Sequence, residues 1–152
     1  MIRNVADYAD APSISTSSRK MSVWNAEQLR QFLDESAGHD LFPIYFLAAN
    51  TGMRRGEVLG LRWSSVDLDA ARLTVNQQLV SVDYQLMEDD LKTPNSRRTI
   101  DLDARTIALL RVHRRQQLEQ QMATGVRPEG GFVFAKPDGS PVHPDLMSQT
   151  FE

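Results

Sequence analysis

Two short stretches of the 152-residue chain combine cations with residues that could hold them against a phosphate. The first is TGMRRGE, residues 51–57, in which the helix-breaking Gly52 precedes Arg54. A planar guanidinium can bind two phosphate oxygens at once, and the start of a helix adds a positive dipole. Glu57 follows Arg54 by one helical turn and could fix its guanidinium. The alternative is an ordinary surface Arg–Glu pair, which contributes little to stability.

The second stretch is KTPNSRR, residues 92–98, which begins with Lys92. Lys92 would stand at the mouth of a hairpin, where a flexible ammonium group could reach a phosphate or donate a proton. The alternative is a lysine that protects the edge of a sheet from aggregation.

Helical signals dominate the part of the chain before and around the first stretch. Asn25 and Gln28 have the spacing of a capping box, which predicts the start of a helix. A second helix is predicted after Asp40 and ends at Gly52, and a short third helix covers residues 54–61. The second helix has apolar residues at i, i+3, i+4 and i+7, which predicts a core face. That face consists of Phe42, Tyr45, Phe46 and Ala49.

Apolar and polar residues alternate after Arg72, which predicts a small antiparallel sheet with turns near residues 83 and 95. Asp103 then caps a long helix that runs to about Met122. Its apolar contacts are predicted to be Ile107, Leu110 and Leu118. His113 lies on this helix among three arginines: Arg111, Arg114 and Arg115. Together they predict a surface that faces either solvent or phosphate.

Residues 132–134 follow as a buried extended segment, residues 136–139 as a turn, and Pro144 opens a last helix. Together these signals predict an α+β protein that is mainly helical and has a small antiparallel three-stranded sheet.

Composition excludes several classes of protein. The chain has no cysteine, so disulfide scaffolds, thiolate zinc sites and cysteine nucleophiles are excluded. No apolar run approaches the ~20 residues of a membrane span, and the N-terminus lacks the apolar core of a signal peptide. We therefore expect a cytoplasmic protein without a membrane partner. A net charge of -3 argues against non-specific coating of nucleic acid but permits a local basic site.

Together the two stretches resemble a known family. TGMRRGE with the following LGLRW resembles the first conserved box of the tyrosine recombinases, the phage integrase family, and LKTPNSRRTIDL resembles that family's lysine hairpin. Residues 23–29 resemble the entry into the family's catalytic domain, and residues 132–144 resemble the segment before its second box. The resemblance covers about residues 22–152, and it implies a partial tyrosine-recombinase catalytic fold.

The resemblance also implies a reaction. These enzymes of mobile elements cut and rejoin double-stranded DNA through a 3′-phosphotyrosyl intermediate, without a metal or another cofactor. Carried over to this chain, Arg54 is the first catalytic arginine, Glu57 supports it, and Lys92 protonates the 5′-oxygen leaving group. The residues implied to contact the DNA backbone are Arg55, Arg97 and Arg98.

Two parts of the family's catalytic set are missing from the sequence. The second box has a histidine followed by leucine and arginine, and His143 does not supply it because Leu146 stands where the arginine belongs. The nucleophile is missing too, since every tyrosine precedes the lysine hairpin: Tyr8, Tyr45 and Tyr84. Loss of one member of a catalytic set that acts as a unit removes nearly all activity.

We therefore predict an N-terminal portion of an integrase catalytic domain over residues 22–152, inactive alone. Residues 1–21 would be a linker or arm, the tail of an N-terminal DNA-binding domain that is no longer present. Further recombinase protomers would be partners of the full-length protein. The alternative function is a non-catalytic DNA-binding or regulatory integrase remnant.

Overall fold

The computed structural model describes residues 23–82, 85–90, 97–126 and 129–149, and it shows the predicted α+β arrangement. The helices are α1 (Ala26–Glu35), α2 (Phe42–Thr51), α3 (Arg55–Leu59), α4 (Ala104–Thr124) and α5 (Pro144–Gln149). The strands are β1 (Val66–Asp67), β2 (Arg72–Val75), β3 (Gln77–Val82), β4 (Gln85–Asp90) and β5 (Arg98–Asp101). The predicted linker over residues 1–21 lies outside the described residues. None of the described helices has the length and apolar content that a membrane crossing requires.

The ends of the helices follow the sequence closely. At the start of α1, the Asn25 side chain accepts a hydrogen bond from the backbone N–H of Gln28 at 2.9 Å. The Gln28 side chain in turn accepts one from the backbone N–H of Asn25 at 2.9 Å, which completes the predicted capping box. Helix α2 ends at Gly52, whose φ of 64° is a left-handed conformation that glycine adopts without strain.

The predicted core face of α2 is largely wrong. The residues of α2 that are buried are Ile44, Tyr45 and Leu47. Of the four expected residues only Tyr45 is among them, and the other three are half-buried: Phe42, Phe46 and Ala49. The reason is that α2 is apolar on nearly all sides, so the helical period in its sequence does not select one face.

A small three-stranded antiparallel sheet is present as predicted, in the order β1-β2-β5, but its strands differ from the predicted ones, because β1 was not expected and the strand at residues 85–90 lies outside it. Strands β3 and β4 pair only with each other and form a separate two-stranded hairpin. Both turns that the sequence predicts, near residues 83 and 95, fall outside the described residues. In the three-stranded sheet Leu73 lies opposite Ile100, and Val75 lies opposite Arg98. Directly opposed residues share a face, so Arg98 starts β5 on the face that buries Leu73 and Val75.

Helix α4 begins where the sequence predicts, with the Asp103 carboxylate accepting from the backbone N–H of Thr106 at 2.8 Å. Leu110 is fully buried, and Ile107 packs against the core. The expected contact of Leu118 is wrong, because that side chain is half exposed beyond the end of the core.

His113 does not belong to a solvated surface. Its ring lies 5.2 Å from the ring of Phe134, and its Nε2 is 2.7 Å from the carbonyl oxygen of Val133. Burial lowers the pKa of His113, although the bond to Val133 opposes that shift. One turn away, Gln117 accepts from the indole N–H of Trp63 at 2.7 Å. The contacts of His113 hold α4 against the buried segment at residues 132–134. The prediction that His113 shares a surface with its exposed arginine neighbours is therefore wrong.

The hairpin of β3 and β4 is joined to α3 by a close approach of two backbones. A Cβ atom on Gly56 would lie 2.6 Å from the carbonyl oxygen of Leu79, and one on Gly60 would lie 2.9 Å from the amide nitrogen of Leu79. The side chain of Gln77 also donates to the carbonyl of Gly60 at 2.8 Å. Because no side chain separates α3 from β3, the two glycines set the distance between them.

We predict that Gly56→Ala destabilises the chain by about 1–3 kcal/mol, because the added methyl group must push α3 away from β3. The measurement is the free energy of unfolding in urea. Gly38→Ala is the matched control, since a Cβ at Gly38 meets nothing within 4 Å. Equal stability of the two variants would contradict the close approach.

Candidate functional site

Three of the predicted site residues, Arg54, Glu57 and Arg98, meet at the Glu57 carboxylate, which is buried at the first turn of α3. Two arginines from distant parts of the chain reach this carboxylate. Arg54 precedes α3, and Arg98 is the first residue of β5. Both guanidinium groups donate to the Glu57 oxygens within hydrogen-bond distance.

Local helix geometry places Arg54. Its backbone is extended, with φ of -68° and ψ of 152°, so it stands at the N-cap position of α3. The backbone N–H of Arg54 donates to Glu57 Oε2 at 2.8 Å, the glutamate half of a capping box. Its guanidinium donates to Glu57 Oε1 at 3.0 Å. The predicted anion site at the helix start therefore depends on this side chain, since the N–H of Arg54 is already used and α3 is only five residues long.

Arg98 makes the more extensive contact with Glu57. One guanidinium nitrogen donates to Oε1 at 3.1 Å and the other to Oε2 at 2.8 Å. This two-point geometry is the strongest that arginine forms with a carboxylate. The side chain reaches Glu57 because Arg98 lies on the core-facing side of its sheet, opposite Val75.

The charge of Glu57 is set by these neighbours. The hydrogen bond from Arg98, opposed by burial and reinforced by the bonds from Arg54, lowers the pKa of Glu57 from 4.5 to about 2. The same pairing raises the pKa of Arg98. The cluster at neutral pH therefore holds one negative and two positive charges, a net excess of one positive charge.

Arg54 carries that excess to the surface. Its side chain is 75% exposed, whereas that of Arg98 is 34% exposed and that of Glu57 is fully covered. In the described part of the chain the Arg54 guanidinium has a hydrogen bond to Glu57 alone. Arg54 lines a groove of about 680 Å³ between α3, β3 and the start of α5. An exposed guanidinium held from behind by a buried carboxylate is suited to binding an anion.

The other predicted residues have different positions. Arg55 donates to the carbonyl of Pro144 at 3.4 Å and to the hydroxyl of Ser148, so its guanidinium connects α3 to α5. Arg97 is exposed next to β5. Lys92, the predicted proton donor, lies outside the described residues.

The groove also contains a histidine arrangement that superficially resembles a hydrolase triad. Ser81 Oγ lies 3.4 Å from His143 Nε2, and Asp145 Oδ2 lies 3.5 Å from His143 Nδ1. The backbone N–H of Asp145 donates to Nδ1 at 3.2 Å, so the neutral ring carries its proton on Nε2. That nitrogen then donates to Ser81 and cannot remove its proton, which excludes this geometry for activating a serine nucleophile. Within the described ranges no three side chains of metal-binding type converge.

The pairing of Arg98 with Glu57 was not predicted from the sequence. One signal was present, because Arg98 alternates in phase with Ile100 and Leu102 and so occupies a position of the apolar face. A charged residue at such a position needs a buried partner.

We predict that the contribution of Glu57 to stability depends on pH in the acid range. Its pKa is about 2 in the folded chain and near 4.5 when unfolded, so the stabilisation is full above pH 4.5 and is lost as pH falls toward 2. A shift of this size corresponds to roughly 3 kcal/mol. The difference in free energy of unfolding between the wild type and Glu57→Gln should therefore shrink across this window.

The comparison of two proteins removes the effect of other titrating groups, including His113, because these are common to both. Glu27→Gln is the control, since Glu27 forms an exposed ion pair with Arg30 on α1. Its effect should stay within about 0.5 kcal/mol at every pH. A difference for Glu57→Gln that is constant from pH 7 to pH 2.5 would refute the assigned charge.

Sequence comparison finds two relatives of similar identity. The chain is 27% identical over 146 residues to a XerC-like tyrosine recombinase of Caldanaerobacter subterraneus, and 27% identical over 134 residues to the ICEBs1 integrase of Bacillus subtilis. These matches cover 88% and 86% of this chain but only 37% and 36% of the two relatives. No protein-family model matches the sequence.

Solved structures share the fold. The Tn1549 transposon integrase, in complex with a circular intermediate DNA, matches 92% of this chain and 44% of its own with a TM-score of 0.68 and 19% identity. The XerA recombinase matches 86% of this chain and 41% of its own with a TM-score of 0.63 and 19% identity. The chain is therefore similar in sequence to two tyrosine recombinases or integrases and shares the fold of such enzymes, over less than half of the length of each.

Proposed function

We propose that the chain is the N-terminal part of a recombinase catalytic domain and that it binds double-stranded DNA with a backbone phosphate at Arg54. The observation that supports this most directly is the exposed Arg54 guanidinium anchored on the buried, ionised carboxylate of Glu57. The Tn1549 integrase, which has a similar fold, is described in complexes with circular intermediate DNA and with transposon right end DNA.

In the reaction of the parent enzyme, Arg54 would act on charge that develops at the phosphate. A fixed guanidinium aimed at the nonbridging oxygens stabilises that charge more in the transition state than in the ground state. Glu57 would keep the guanidinium in place, and Lys92 would protonate the 5′-oxygen as it leaves. Arg55 and Arg97 would contact neighbouring backbone phosphates, which position the duplex without reading its sequence.

The chain as printed should bind DNA without cutting it. Its tyrosines are residues 8, 45 and 84, all before the lysine hairpin, and Tyr45 is buried in the core. Strand transfer in the parent protein would need a later tyrosine, a second box and further protomers. A DNA-binding or regulatory remnant remains the second candidate function, and it shares the same phosphate site.

We predict that the chain binds a fluorescent 30-base-pair duplex with an affinity that falls steeply as salt rises. Each phosphate contacted should contribute about -0.9 to the slope of log K against log salt. Arg54→Ala should weaken binding by roughly tenfold and reduce the slope by about one. Arg30→Ala, on α1, is the control and should match the wild type in both quantities. Binding that does not depend on salt would refute the proposal.

We also predict that no covalent protein–DNA adduct forms on a nicked suicide duplex, as resolved by denaturing electrophoresis. The reason is that a 3′-phosphotyrosyl bond requires an accessible tyrosine at the phosphate. An adduct would show that one of the three tyrosines acts as the nucleophile. The two candidate functions are then separated by the native gene: a downstream second box and tyrosine in the same reading frame would favour the recombinase, and their absence would favour the remnant.

A further inference from the structure

We propose that Arg98 is a positioning residue, which occupies Glu57 so that the guanidinium of Arg54 stays available to a phosphate, and that Arg98 does not itself contact the DNA. The inference rests on the proposed phosphate site at Arg54 and deepens it. It replaces the sequence-based expectation that Arg98 binds the DNA backbone.

The hydrogen bonds at Glu57 are divided unequally between the two arginines. Arg98 donates to both carboxylate oxygens, at 3.1 and 2.8 Å. Arg54 donates through its guanidinium to one oxygen only, at 3.0 Å, while its backbone N–H takes the other. Arg98 bonds to both oxygens of the carboxylate, and Arg54 bonds to it through one guanidinium nitrogen. The other N–H groups of the Arg54 guanidinium can therefore donate to a ligand.

The charges lead to the same conclusion. With Arg98 in place, one carboxylate is shared by two guanidinium groups, and a positive charge remains for a ligand at Arg54. Without Arg98, Glu57 and Arg54 would neutralise each other, and the buried carboxylate would attract Arg54 more closely, since no other cation of the described residues bonds to it. An anion would then have to compete with Glu57 for the Arg54 guanidinium.

The exposure of the two side chains separates their roles. Arg54 is 75% exposed and borders the groove, whereas Arg98 is 34% exposed and is directed into the core-facing side of the sheet. A guanidinium with two of its nitrogens committed to a buried carboxylate is poorly placed to bind a second anion from solvent. Arg98 therefore acts on the ligand through Glu57 and Arg54.

The experiment compares Glu57→Gln with the double variant Glu57→Gln/Arg98→Met in the full 152-residue chain. Neither contains the buried charge, so neither should unfold for lack of an ion pair. Two probes are used: the tetrahedral dianion tungstate, followed by the Arg54 Nε–Hε signal in NMR, and the fluorescent duplex. If Arg98 only positions, the two variants should bind each probe within about twofold of one another, because no charged Glu57 remains to be occupied.

The single variants complete the cycle. Arg98→Met should weaken binding by about tenfold or more, and adding Glu57→Gln should restore most of it. Arg98→Lys keeps the charge but cannot grip both oxygens, so its affinity should be intermediate. Arg30→Met is the matched control, since Arg30 also forms an ion pair with a glutamate three residues away.

Two results would overturn the inference. One is weaker binding by the double variant than by Glu57→Gln, which would show that Arg98 contacts the ligand directly. The other is unchanged binding by folded Arg98→Met. The proposed function fails separately, if the wild type shifts the Arg54 signal with tungstate but does not bind duplex; the inference then stands for the small anion alone. A wild type that binds neither probe would refute both.

Discussion

A carboxylate that is removed from water must be met by cations, and this requirement at Glu57 organises the site. The ion pairs join the start of α3 to the start of β5, through residues Glu57 and Arg98 that are 41 positions apart in sequence. Without its arginine partners, the Glu57 carboxylate would be an uncompensated charge in the interior, which costs several kcal/mol. The cluster therefore links the fold to the proposed phosphate site, since the bonds that hold α3 against the sheet also hold the guanidinium of Arg54.

The surrounding structure makes this pairing available. The register of the sheet puts Arg98 opposite Val75 and on the buried face, and the extended backbone of Arg54 starts α3 just where Glu57 can cap it. Helix α4 packs against α2, and its contacts through His113 and Gln117 connect it to the buried segment at residues 132–134. The N-cap position of Arg54 is a local preference of the sequence, whereas the sheet register and the contacts of α4 join distant segments; together they fix one arrangement of the charges.

The sequence was informative where the determinants are local. The caps at Asn25 and Asp103, the stop at Gly52 and the family motif at residues 51–57 all depend on residues a few positions apart. It was less informative where the determinant is a contact between distant segments. The inward position of His113 depends on the carbonyl of Val133, and the partner of Arg98 lies in another element, so no single window of sequence contains either contact.

The contact between α3 and β3 has a mechanical consequence. Both surfaces are backbone at Gly56, Gly60 and Leu79, so there are no rotamers at the joint that could absorb a displacement. A displacement of the hairpin would therefore be transmitted to α3 by direct backbone contact. Strand β4 ends at Asp90, two positions before Lys92 in the sequence, while Arg54 stands at the start of α3. A ligand that displaced the hairpin would thus press on the short helix whose first turn carries Glu57 and whose N-cap is Arg54.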